Sequence, residues 1–130
     1  MPTFSKESSN KLRTCDPRLQ QLFQEVVKFY DCTIIEGHRG EAAQNAAVAA
    51  GNSQLKWPKG KHNAYPSKAV DVAPYPIDWN DSPRFHLFAG FVLGTASQMG
   101  FKIRWGGDWN SNQQVKDERF RDLPHFEIQE

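Results

Sequence analysis

Only two of the 130 residues are cysteines, Cys15 and Cys32, and they are not arranged as a CxxC pair. Two such thiols build no disulfide framework, so both are expected free, in a chain folded in a reducing compartment. An excess of either charge is also missing, with 16 Lys or Arg against 15 Asp or Glu. Near-neutrality removes the electrostatic reason to expect nucleic acid or an acidic membrane surface as partner. No stretch approaches the roughly 18 to 20 apolar residues of a membrane-spanning helix. The first residues, MPTFSKESSNKLRTCDPRL, lack the basic start and apolar run of an export signal, so synthesis in the cytoplasm is expected. Repeats and low-complexity tracts are absent as well. A length of 130 residues fits one domain, and 38% hydrophobic residues suffice for a core.

The elements that are present alternate irregularly. Asp16-Pro17 reads as a helix cap followed by proline in the first turn, and Leu19, Leu22, Phe23, Val26, Val27 and Tyr30 follow at helical spacing. Thr33-Ile34-Ile35 predicts a buried strand leading into Gly37-His38-Arg39-Gly40. Residues Glu41 to Ala50 predict a second helix, closed by Gly51. A polar loop from Asn52 to Ser67 precedes a short central strand, Ala69 to Ala73. Ser82-Pro83 repeats the cap signal and opens a third helix, in which Phe85, Phe88, Phe91, Val92, Thr95 and Met99 follow and Gly100 marks the end. Phe101 to Trp105 and Pro124 to Ile128 complete the strands. Without a regular βαβ repeat the expected class is α+β, a single domain over residues 1–130 with a small, mostly antiparallel sheet and three helices.

Four histidines can carry chemistry: His38, His62, His86 and His125. His86, inside a helix, reads as a surface or edge residue, and His38 as a structural one beside Arg39. His62 lies in a polar loop ahead of Asp71, whose valine neighbours place it in a buried strand. A buried carboxylate requires a partner, because an unpaired charge costs several kcal/mol, as an order of magnitude. His125 sits in DLPHFE, three residues after Asp122. Two histidines and one aspartate make a three-ligand zinc set with a fourth position open to water. Asp122 is then placed to take that water's proton. On spacing alone the metal set is a weak signal, and an Asp71 paired with Lys or Arg beside two unrelated histidines is the favoured reading.

The runs IIEGHRGEAAQNAAVAAGNS, KHNAYPSKAVDVAPYPIDW, RWGGDW and DLPHFEI occur in one order. Together they resemble the phage L-alanyl-D-glutamate peptidases, relatives of the VanY-type D-alanyl-D-alanine carboxypeptidases, from about Phe4 to Ile128. The resemblance implies a Hedgehog/DD-peptidase-like fold and one zinc ion held by His62, Asp71 and His125, with Asp122 as catalytic base. It matches Arg39 to an arginine that binds substrate and steadies the oxyanion, and Gln44 to a glutamine often found on the next helix, assigned here to substrate binding. Against the family pattern, roughly SxHxxGxAxD, Gly60 replaces the serine and Ser67 the glycine. Tyr65 and Pro66 lengthen the loop. These departures bear on the shape of the cleft.

Glu127, two residues beyond His125, alternates to the same strand face, where it either orients a ligand or meets solvent. Trp105 and Trp109 bracket Gly106-Gly107-Asp108 and suit either a binding wall or the core. Three activities follow from the resemblance: an endopeptidase cutting L-Ala-D-Glu in the stem peptide of peptidoglycan, a carboxypeptidase removing terminal D-Ala, or a non-catalytic zinc-holding module that binds the wall. Arg39 and Asp122 argue against the last, since a structural zinc needs neither. The missing export signal argues against the second. The expectation is therefore an endolysin that reaches the wall once a holin opens the membrane, monomeric by default. With no separate wall-binding domain, its host wall is expected to be thin, as in Gram-negative bacteria.

Overall fold

Alternation within two strands decides how the chain packs. In β2 (Ala69–Pro74) Val70 and Val72 point one way and Asp71 the other; in β4 (Asp122–Ile128) Phe126 and Ile128 oppose His125 and Glu127. A sheet made of such strands has one face for helices and one for polar chemistry. The computed structural model, which describes residues 2–116 and 121–130, shows that sheet. With β1 (Cys32–Glu36) and β3 (Ile103–Gly106) it has four strands in the order β1-β2-β4-β3, every neighbouring pair antiparallel.

The apolar face packs on α2 (Pro17–Val26) and α4 (Ser82–Met99). Phe126 lies edge-on to Phe23 at 5.6 Å and to Phe88 at 6.1 Å, and Tyr30 meets Phe88 at 5.0 Å. Asp16 caps α2 by accepting from the Arg18 N–H at 2.8 Å, as the Asp-Pro signal implies. Helix α3 (Glu41–Ala49) runs into Gly51 at φ +79°, and α4 ends at Gly100 with the same φ.

The α+β class holds, with several corrections. A fourth helix, α1 (Lys6–Leu12), precedes the expected three; Ser5 caps it and only Ser8 and Leu12 are buried in it. The cap of α4 is Asp81, whose carboxylate accepts from the Arg84 N–H, so Ser82 lies one position inside. Helix α2 stops at Val26, and Tyr30 reaches the core from the turn beyond it. Strand β3 starts at Ile103 rather than Phe101, and β4 reaches back to Asp122. Pairing of β4 with β2 covers His125 to Glu127, so Pro124 removes no donor from that ladder. Both cysteines are free and buried, as expected.

Candidate active site

A polar row crosses three strands. Glu36 of β1 pairs with Asp71 of β2, and Asp71 pairs in turn with His125 of β4. A register slip between Ile34 and Glu36 brings Glu36 into the row. His62 enters from the loop, on a single 3-10 turn (Lys61–Asn63). That turn is held by the Gly60 N–H donating to Asn63 Oδ1 at 2.8 Å and the Arg39 N–H donating to the His62 carbonyl at 2.7 Å. Asp71 Oδ1 lies 3.2 Å from His62 Nε2 and 3.3 Å from His125 Nδ1.

The outer ring nitrogens settle what the inner ones offer. His62 Nδ1 is 2.7 Å from the Gly37 carbonyl, and His125 Nε2 is 2.8 Å from Glu127 Oε1. A carbonyl and a carboxylate only accept, so each outer nitrogen carries the proton. In neutral rings the inner nitrogens then present lone pairs to a carboxylate oxygen. One such atom from each of His62, Asp71 and His125 lies within 4.8 Å of the others. Three mutually facing electron-pair donors need protons or a cation between them, and two imidazoles with a carboxylate suit zinc. The oriented outer nitrogens are the usual support of metal-binding histidines.

The charges around the cluster agree. Burial pushes the Asp71 carboxyl up, but the charge of His62 and hydrogen bonds from His125 and His62 overcome it and hold Asp71 well below the usual carboxylate range. Burial pushes His125 down, yet its bonds to Asp71 and Glu127 raise it to about 9. The acids that hold this proton on His125 are the surroundings a divalent cation would use in its place. Asp122 differs: burial, then the nearby Asp71 charge, raise it to about 6. Its Oδ2 lies 3.8 Å from His125 Nδ1. The backbone there is close: a Cβ at Gly106 would stand 2.0 Å from the Asp122 carbonyl oxygen, so only glycine lets β3 pass.

Arg39 is 7% exposed and spans the cluster. Its Nη2 donates to Glu36 at 2.9 Å and lies 3.5 Å from Asp71, while Nη1 donates to Gln44 Oε1 at 3.0 Å. Its Nε is buried with no hydrogen-bond partner among the described residues. Gln44 is fully buried; its Oε1 also accepts from Asn63, and its Nε2 donates to Ser53 Oγ and the Leu55 carbonyl. It thus orients Arg39 while forming part of a cavity wall. Of the two readings for Glu127, the structure selects the buried one. Glu127 bridges His125 to Arg104, whose Nη2 donates at 2.7 Å, with Lys61 Nζ at 3.6 Å. Burial raises its carboxyl, and these bonds reverse that and lower it to about 2.

The tryptophans divide. Trp105 is core, 5% exposed, with its indole N–H donating to the Leu123 carbonyl at 2.7 Å. Trp109 lines the cleft, its ring 5.3 Å from that of His125 and 5.6 Å from the Arg104 guanidinium. His86 rests edge-on against Trp105, and His38 Nδ1 meets the Ala64 carbonyl, both away from the cluster. Sequence reading missed Glu36 and Arg104, which sheet register brings beside Asp71 and Glu127, and Lys61, which reaches Glu127 from the 3-10 turn.

Two cavities flank the cluster and share Arg39, Asn52 and Asp122. One, of about 320 Å³, is lined by Lys59, Lys61, Arg104 and Trp109. The other, of about 610 Å³, is lined by Trp79, Phe85, Leu123 and Pro124. The cluster therefore lies between two adjoining cavities.

The profile of phage L-alanyl-D-glutamate peptidases matches residues 2–129. The chain belongs to that family. A relative, the L-alanyl-D-glutamate peptidase of Escherichia phage T5, is 36% identical over 88% of this chain and 87% of its own length. Among solved structures, the Serratia marcescens L-Ala D-Glu endopeptidase ChiX superposes with a TM-score of 0.73 at 26% identity, covering 97% of this chain and 89% of that one. Within this family frame, both sequence departures have local causes. A Cβ at Gly60 would meet Asn63 Oδ1 at 2.8 Å and Gln44 Oε1 at 3.2 Å, so the Asn63–Gln44 contact occupies a serine's space. Ser67, fully buried, donates from Oγ to the Ala69 carbonyl at 2.6 Å and accepts from the Ala69 N–H. The lengthened loop stays outside, with Tyr65 72% exposed.

Proposed function

We propose that this protein is a zinc-dependent peptidoglycan endopeptidase that hydrolyses the L-Ala-D-Glu bond of the stem peptide and lyses the host. The observation that carries the reading is the His62–Asp71–His125 cluster beside an aspartate raised to about 6, in a member of this peptidase family. One zinc per chain fits the three facing donors, and when bound it supplies Lewis acidity to the scissile carbonyl and the attacking water.

The protein's own groups do the rest. Asp122, with its proton affinity close to neutrality, accepts the water's proton as the oxygen adds to the L-Ala carbonyl carbon. It returns that proton to the D-Glu nitrogen as the C–N bond breaks. Arg39, fixed by Glu36 and Gln44, offers donors to the oxyanion or to a substrate carboxylate. Glu127 orients His125. All of these groups come from one chain, which supports action as a monomer over a single catalytic domain. No helix among the described residues is long and apolar enough to cross a membrane. In this reading the protein is made in the host cytoplasm and reaches the wall through a holin.

Mass spectrometry of purified peptidoglycan after digestion tests the assignment. The expected products carry D-Glu as a new N-terminus. Release of D-Ala alone would establish the carboxypeptidase reading instead.

A further inference from the structure

The two cavities beside the cluster differ in chemistry, and the difference assigns a direction to the substrate. The smaller holds Arg39, Lys59, Lys61 and Arg104 against the acids Asp122 and Glu127. The larger holds Arg39 and Arg121 against Glu36 and Asp122, with Asp71 committed to the cluster, so it lacks the cationic excess of the smaller. The larger also has an aromatic platform. Trp79 is 58% exposed, and its ring stacks on Phe85 at 5.5 Å with planes 21° apart. Phe85 is buried on α4, so the platform stands on a rigid element.

A stem peptide is equally lopsided around the L-Ala-D-Glu bond. Beyond the bond lie the free carboxylates of D-Glu and of the residues after it. Before it lies only L-Ala, joined through a lactyl group to an N-acetylated sugar. Carboxylates suit the cationic cavity, and a sugar ring's apolar face suits an exposed indole.

Resting on the proposed activity, we infer that the stem peptide crosses the cluster with its acidic half in the Lys59–Lys61–Arg104 cavity and its sugar stacked on Trp79. Trp79 is then a specificity-determining residue for the glycan-linked end, and Leu123 and Pro124 line the path of the lactyl group.

The test compares two substrates of one stem-peptide sequence, one bearing N-acetylmuramic acid on L-Ala and one with a free L-Ala amine. For the zinc-loaded wild type, kcat/KM is expected to favour the sugar-bearing substrate about 3–10-fold, the scale of one aromatic contact. Trp79→Ala should bring the ratio close to one, and Trp79→Phe should restore part of it. A second arm measures binding of both ligands by calorimetry to zinc-loaded Asp122→Asn, with and without Trp79→Ala, and needs no turnover. If neither substrate is cut but the sugar preference appears in binding and vanishes with Trp79→Ala, the cleaved bond is misassigned and the direction stands. Equal binding of both ligands by the protein that retains Trp79, or a sugar preference unchanged in Trp79→Ala, overturns the inference while leaving the peptidase reading intact.

Discussion

Asp71 and His125 are register partners on neighbouring strands with Oδ1 and Nδ1 3.3 Å apart, while the next pair, Val70 and Phe126, faces the opposite side of the sheet. One register therefore sets both the site and the core. A slip of one residue would exchange them, sending the cluster into the helices and the apolar side chains into the cleft.

The core half of that relationship gives the first prediction. Phe126 is fully buried between Phe23 and Phe88. Phe126→Ala should cost about 3–5 kcal/mol of stability, through lost burial and the cavity left behind. Urea unfolding of the two proteins measures it. A loss below about 1 kcal/mol would mean the sheet face is not packed as described.

Asp122→Asn tests the proton path. The amide keeps size and removes the base, so turnover on an L-Ala-D-Glu peptide should fall by about 10²-fold or more. Zinc content and melting temperature should stay near wild type, because Asp122 is assigned no ligand role. A variant keeping a large part of wild-type turnover would remove Asp122 from the chemistry.

Arg39→Lys keeps the charge and loses the planar fork that reaches Glu36 and Gln44 together. Loss of an oriented oxyanion donor lowers turnover by roughly 10²–10³-fold. An arginine serving only to hold Glu36 and Gln44 would instead lose stability, as a broken buried pair does, and leave the rate alone. Turnover and melting measured on one preparation separate the two.

The cysteines give a pH-dependent outcome. Burial pushes both Cys15 and Cys32 up to about 12, so at pH 8 each is a neutral thiol out of reach of solvent. The folded values lie above the unfolded one, about 8.5. Stability from these neutral thiols is thus fully present below about pH 8.5 and is lost as pH rises through the folded values. A disulfide-exchange reagent at pH 8 should label neither thiol in the native protein and both after unfolding. Rapid labelling of the native protein would contradict this burial.

Much of this was legible in local sequence. The β-branched run at Thr33-Ile34-Ile35 and the valines around Asp71 marked two strands, because burial on a sheet selects those side chains. The resemblance of four linked segments singled out His62, Asp71, His125 and Asp122, whereas spacing alone favoured a basic partner for Asp71. The structure shows part of both, since Arg39 Nη2 stands 3.5 Å from the same carboxylate. Helix α1 escaped notice because its buried side chains are only Ser8 and Leu12, too few to set a period. The Arg104–Glu127 pair was illegible because it depends on the register of β3 against β4, which no local pattern encodes. Trp105 and Trp109, alike in sequence context, part because the first lies on β3 and the second in the turn beyond it.

The central claim is that one metal ion in the His62–Asp71–His125 cluster drives hydrolysis, and a zinc titration of chelator-treated protein tests it most directly. Turnover of the L-Ala-D-Glu peptide should be absent after chelation and rise linearly with added zinc to a break at one equivalent per chain, with no such recovery in His125→Ala. Undiminished turnover in the fully chelated protein, or equal recovery in His125→Ala, would contradict the account.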